Sequence, residues 1–141
     1  MAFKAGKGSF ILLDGVAGTG VNISAYADSF SFDQPVDTHD VTVFGANAKS
    51  FIVGLTDGGA ASLSGPLDVA LGTFIAGLKA AQAAGSASST LVWGPGGSVA
   101  GQVQQSAEVF VSNYGVSSGV GGRVEYTASL QITGAVTNST W

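Results

Sequence analysis

From Arg123 to Ile132 the chain alternates without a break. Val124, Tyr126, Ala128, Leu130 and Ile132 fall on one parity, and Arg123, Glu125, Thr127, Ser129 and Gln131 fall on the other. Successive side chains on a strand point to opposite faces, so this order gives a strand with one apolar face. The same residues wound into a helix would scatter both sets around the axis. The stretch therefore demands an antiparallel sheet with one buried face and one wet or interfacial face.

The same period recurs along the chain. The 22 glycines punctuate the runs rather than forming one linker, which is the pattern of short strands joined by turns. Strands are expected at Ser9–Asp14, Ser24–Asp33, Thr38–Phe44, Phe51–Leu55, Ala60–Ser64, Thr90–Trp93 and Val103–Tyr114, ahead of the 123–132 run. A loop is expected through Gly15, Gly18 and Gly20. The turn signal Asp57-Gly58-Gly59 predicts that Phe51–Leu55 and Ala60–Ser64 pair as a hairpin. Between Leu67 and Ala84 the period changes. Leu67, Ala70, Leu71, Phe74, Ile75 and Leu78 make one helical stripe. Pro66 suits its first turn, Ser64 is a candidate cap, Asp68 favours the positive end of the dipole and Gly85 suits the stop. The expected fold is mainly β: an antiparallel β-sandwich or barrel-forming sheet of seven or eight strands with one flanking α-helix. The 141 residues fit one domain, 1–141, with residues 1–8 as a flexible N-terminal arm.

Such a sheet must manage its edges, and the composition supplies few means. Five basic and nine acidic residues make about 10% charged, against roughly a quarter in ordinary globular proteins. A surface built from Gly, Ala, Ser, Thr and apolar groups invites association. Burial against other copies resolves this, and edge pairing into a closed barrel would remove the edges. The net charge of −4 and the scattered positions of Lys4, Lys7, Lys49, Lys79 and Arg123 argue against a grip on a nucleic-acid backbone. The absence of cysteine excludes disulfides, thiolate metal sites and cysteine nucleophiles. The apolar run Phe10–Leu13 is too short for a signal-peptide core, and Leu67–Ala84 is too interrupted to span a membrane.

No constellation of residues in the sequence carries a recognisable chemistry. Gly6-Lys7-Gly8-Ser9 lacks the spacing of a phosphate loop and precedes a strand. His39 is the only histidine, and a catalytic triad or an imidazole metal site would need it. Its proximity to Asp33, Asp37 and Asp40 is the sole support for either. On a strand Asp37 and His39 share a face while Asp40 points away. A plain Asp–His contact or an intersubunit hydrogen bond is the reading preferred. Asp28, Asp33, Asp37 and Asp40 lack the loop spacing of a calcium site and read as a solvated acidic rim or a lumen-facing patch. Trp93 and Trp141 read as core and C-terminal anchors rather than a sugar platform. No catalytic residue, cofactor or metal is expected, and the chain reads as non-enzymatic.

One resemblance adds to this. Asp37-Thr38-His39-Asp40-Val41-Thr42-Val43-Phe44-Gly45, then Phe51-Ile52-Val53-Gly54-Leu55-Thr56-Asp57-Gly58-Gly59, then Ala61-Ser62-Leu63-Ser64-Gly65 resembles the major tail protein (tail tube) family of long-tailed siphophages. The likeness covers about Phe10–Ala84; the last third matches only in its strand pattern. It implies a structural virion protein made in the bacterial host cytoplasm and carried in the phage tail. Subunits would form stacked hexameric rings beside other tail proteins. Inner strands would join into one barrel, and DNA would pass without specific binding or any membrane partner. It further implies that Asp37, His39, Asp40, Phe44, Lys49, Phe51 and Asp57 lie at subunit or ring–ring contacts. Lys4 and Lys7 of the arm would reach acidic residues of a neighbour. The alternatives are a capsid decoration (minor capsid) protein of similar β-fold and, in a different class, a carbohydrate-binding β-sandwich.

Overall fold

The computed structural model describes residues 6–15, 18–85 and 87–141. In chain order the elements are β1 (Phe10–Asp14), β2 (Gly20–Asn22), β3 (Ser29–Phe32), β4 (Val36–Asp40), β5 (Phe51–Thr56), β6 (Ala60–Pro66), α1 (Val69–Ala83), β7 (Ser89–Gly94), β8 (Val103–Ser117) and β9 (Glu125–Thr140). Among the described residues seven strands form one sheet in the order β2-β1-β7-β8-β9-β6-β3, and β4 pairs with β5 alone. Every pairing is antiparallel. The fold is mainly β with one helix, as the alternation and the single helical stripe imply.

The expected buried parity of β9 holds for Tyr126, Ala128, Leu130 and Ile132, each almost fully enclosed. Val124 precedes the strand and is exposed. The register carries this parity across the sheet. Phe30, Leu63, Ala128 and Tyr114 lie in one transverse row; Phe32, Ala61, Leu130 and Val111 lie in another. Both rows face the core, joined there by Ile11, Leu13, Ile23, Leu91 and Val109. The sheet curls round this core. Phe30 on edge strand β3 meets Trp93 on β7, far along the strand order, with ring centroids 4.3 Å apart. β8 and β9 take up the curvature with register shifts at Ser106/Glu108 and Val111/Asn113. In the first of these Gly134 adopts φ +82°, a left-handed backbone that side chains resist.

Helix α1 supplies Leu71, Ile75 and Leu78 to the core. Ala70 of the expected stripe is exposed, and Leu67 and Phe74 are partly buried. The cap is Asp68, whose carboxylate accepts from Ala70 N at 2.8 Å, rather than Ser64. Ser64 and Pro66 belong to β6. The helix stops at Gly85, φ +103°, as its position suggested. Near its end Gln82 joins helix to sheet. Its Oε1 accepts from Val111 N at 2.8 Å, and its Nε2 donates to Ser89 Oγ at 3.2 Å. Buried Tyr126 donates its hydroxyl to Tyr26 O at 2.8 Å. Burial pushes that phenol up to about 12.

Several sequence expectations are corrected. Ser24–Asp33 is not one strand: Ser24–Tyr26 is a 3-10 turn, because Ser24 Oγ accepts from Ile11 N at 2.8 Å and draws this segment beside β1. The expected loop before it contains β2. The expected strand Thr38–Phe44 begins at Val36 and ends at Asp40. β8 runs three residues past Tyr114, and β9 runs on past Ile132 through residues almost all of which are exposed and show no apolar parity. Phe51–Leu55 and Ala60–Ser64 do not pair. β5 pairs with β4, while β6 lies between β9 and β3. Of the N-terminal segment, Gly6–Gly8 forms a 3-10 turn; Lys4 lies outside the described residues.

Candidate assembly surface

The β4–β5 hairpin is the part of the molecule without a core of its own. Its base is fixed by the turn read as a simple hairpin signal. Asp57 Oδ1 accepts from Gly59 N at 2.8 Å, and Gly59 O accepts from Ile132 N at 3.1 Å. Across it, Asp33 N donates to Ala60 O at 3.3 Å. Gly58 and Gly59 are buried between Ile132, Asp33 and Pro35, so side chains there have no room. The turn is a corner where the chain leaves the sheet and returns to it. Asp57 acts within the chain at this corner.

Beyond the corner, every residue from Asp33 to Val53 is exposed. Thr38 stands opposite Val53, Asp40 opposite Phe51, and His39 opposite Ile52. Opposed residues share a face. One face therefore carries Thr38, Asp40, Phe51 and Val53. The other carries Asp37, His39, Ile52 and Gly54. A Cβ at Gly54 would lie 2.6 Å from His39 Nε2 and 3.4 Å from Asp37 Cβ. The imidazole lies across the glycine, and Asp37 and His39 share a face as the parity requires. Neither is hydrogen-bonded to the other among the described residues.

The tip, 41–50, is closed by the chain itself. Val41 N donates to Ser50 O and Ser50 N to Thr42 Oγ1, both at 2.9 Å. Thr42 N donates to Asp40 Oδ1 at 2.8 Å. Hydrogen bonding by the Thr42 hydroxyl, and then by its backbone, holds Asp40 below the usual carboxylate range. Phe44 and Lys49 lie in this tip, both exposed.

The apolar groups are the anomaly. Val43, Val53 and Leu55 expose 72, 71 and 86% of their surface, and Phe44 exposes all of it. Phe51 and Ile52 are more than half exposed. Large contiguous apolar patches mark interaction sites, and a lone two-stranded hairpin is marginal in water. Of this set the sequence reading singled out Phe44 and Phe51. Val43, Ile52, Val53 and Leu55 escaped it, although the run Phe51-Ile52-Val53, in a chain short of charge, was the available signal.

Elsewhere, a cleft of about 650 Å³ lies between β1, β3 and β7, with Lys7, Asp28, Phe30 and Trp93 in its wall. Trp93 packs on Phe30, and Trp141 packs edge-on to Phe10 at 5.4 Å. Arg123 pairs with Asp28 and Glu125, whose carboxylates favour its charged form. Among the described residues no three His, Asp or Glu side chains form a metal-binding group. No described helix is long and apolar enough to cross a membrane.

No protein-family model matches the sequence, and no curated protein matches it. Solved structures do match in shape. A chain from the tail of an empty gene transfer agent particle, refined with C6 helical symmetry, superposes with a TM-score of 0.75 at 16% identity, covering 98% of this chain and 100% of that one. The SPP1 tail tube superposes at 0.63 and 15% identity, over 99% of this chain and 80% of that one. A chain of the sheath–tube complex of an extracellular contractile injection system gives 0.69 at 10% identity, over 99% and 93%. This chain has the fold found in those tail and tube assemblies.

Proposed function

We propose that this chain is a structural, non-enzymatic subunit of a phage-type tail tube. Copies form hexameric rings that stack into a hollow tube, in a virion tail with other tail proteins, and DNA passes through without specific binding. One observation carries the reading: an arm with Val43, Phe44, Phe51, Val53 and Leu55 bare to solvent projects from a chain whose fold is that of tail and tube proteins. The arm has no purpose in an isolated monomer and an evident one against a second copy. Phe44, Phe51 and Val53 are its anchors, with Asp37, His39, Asp40 and Lys49 as the polar rim. Lys7 lies at the wall of the cleft, within reach of a neighbour's acidic side chains.

The net charge of −4 fits passage of DNA, since a tube that must release a polyanion cannot carry basic clusters. Negative-stain microscopy of the purified chain tests the reading. Hollow tubes or stacked rings are expected. A stable monomer or trimer that binds phage heads would overturn it in favour of capsid decoration.

A further inference from the structure

Where β7 stops, β8 loses a neighbour. β7 reaches only the Ser89–Val109 pair, whereas β8 runs on to Ser117. Among the described residues no strand pairs with Phe110–Ser117 on that side. The other open edges of the sheet are short, with three residues in β2 and four in β3. A long bare edge is a template on which further strands add. The usual deterrents are missing, since the stretch from Phe110 to Ser117 contains no charged residue and no proline.

A side chain from the helix stands there instead. Gln82 lies half-buried near the end of α1. Its Oε1 accepts from Val111 N at 2.8 Å, and its Nε2 donates to Val109 O at 3.5 Å. Nε2 also donates to Ser89 Oγ at 3.2 Å, on the residue of β7 that makes the last pair. A primary amide carries a carbonyl and N–H donors, the groups of a peptide unit. Donating to the carbonyl of one residue and accepting from the amide two further on is how a residue of a parallel strand bonds its neighbour. The side chain therefore adds one peptide-like step to the β8 edge. Its stem belongs to a helix, so the ladder ends with it. The register shift of β8 against β9 between Val111 and Asn113 falls at the same point, and such shifts bend a strand.

We propose that the Gln82 amide is a register stop. It occupies the first hydrogen-bonding position on the β8 edge beyond β7, so a strand from a second copy can pair only with what lies past it. This rests on the tube reading above. A slip of one residue moves every side chain to the wrong face, which opposes it strongly. A slip of two keeps the faces, and only an obstacle on the ladder prevents it. Gln82 is that obstacle. It is a positioning residue, acting through the backbone of β8.

Q82M and Q82E separate this role from one in folding alone. Methionine keeps the length of the stem and loses both polar groups. Glutamate keeps the acceptor for Val111 N. In the dilute chain, exchange of the Val111 amide should rise by about tenfold or more in Q82M and by much less in Q82E. At the concentration at which the unsubstituted chain gives uniform tubes in negative stain, Q82E should give the same tubes. Q82M should give tubes of irregular diameter or disordered aggregate. If Q82M does not fold, Q82N replaces it, with an amide one methylene short of Val111. Uniform tubes from folded Q82M or Q82N at the unsubstituted critical concentration would overturn the proposal, and so would equal failure of Q82E and Q82M. Absence of tubes from the unsubstituted chain would instead overturn the tube reading.

Discussion

Leu130 and Leu55 are the same residue, each on an antiparallel strand, yet the first is fully buried and the second exposes 86% of its surface. Leu130 sits on β9, with β8 on one side, β6 on the other and the core on its face. Leu55 sits on β5, whose sole strand partner among the described residues is β4. The body of the molecule thus satisfies its apolar parity within one chain. The arm has the apolar content of a core strand and no chain of its own to cover it. Stability of the fold and competence for assembly are therefore written in different residues, and substitutions should separate them.

The largest effect belongs to the body. L130A removes a fully buried side chain from the centre of the core, at a cost of about 2–5 kcal/mol. Urea unfolding of the dilute chain will show it as a lower midpoint with the same slope. A loss under about 1 kcal/mol would mean that the core is looser than its burial implies.

Next comes an alkaline effect at Tyr126. Its folded pKa, about 12, lies above the ordinary value of 10.0. A raised tyrosine pKa leaves stability intact below pH 10 and removes it as pH rises from 10 to 12, because the unfolded chain ionises first. Two units correspond to roughly 3 kcal/mol. Y126F costs about 1 kcal/mol at neutral pH, through the lost hydrogen bond to Tyr26 O, but escapes the alkaline loss. The two stability–pH curves should meet above pH 10 and cross before pH 12. Parallel curves would show that Tyr126 ionises freely in the fold.

The smallest effect on folding is expected in the arm. F51S/V53S alters exposed side chains, so the unfolding midpoint of the dilute chain should move by less than about 0.5 kcal/mol per substitution. Tube formation by the same variant should fail. If instead the variant unfolds the monomer, the arm belongs to the body after all, and the contrast collapses.

How much of this was legible beforehand follows the same division. The buried parity of β9 and the stripe of α1 were readable because each is a periodic pattern facing a core made by the chain itself. The pairing of β6 was not. Asp57-Gly58-Gly59 carries the residues of a local hairpin turn, and only the contacts of Ile132, Asp33 and Pro35 around it reveal a corner. Ser24–Asp33 kept a strand's alternation and lost its first half to a bond between Ser24 Oγ and Ile11 N, separated in sequence. The site was half legible. The parity placing Asp37 with His39 was readable, and so was the candidacy of Phe44 and Phe51. The exposure of Val43, Ile52, Val53 and Leu55 was not, because a run of apolar residues reads alike whether its own chain covers it or leaves it bare.

The central claim is that residues 36–56 fold as an arm completed by other copies. Hydrogen exchange of its backbone amides, in the dilute chain and in assembled material, tests this most directly. In the dilute chain the 36–56 amides should exchange rapidly while those of β8 and β9 stay protected. On assembly, protection should rise over 36–56 more than anywhere in the body. Equal protection of the arm in both states, or a rise confined to the body, would contradict the account.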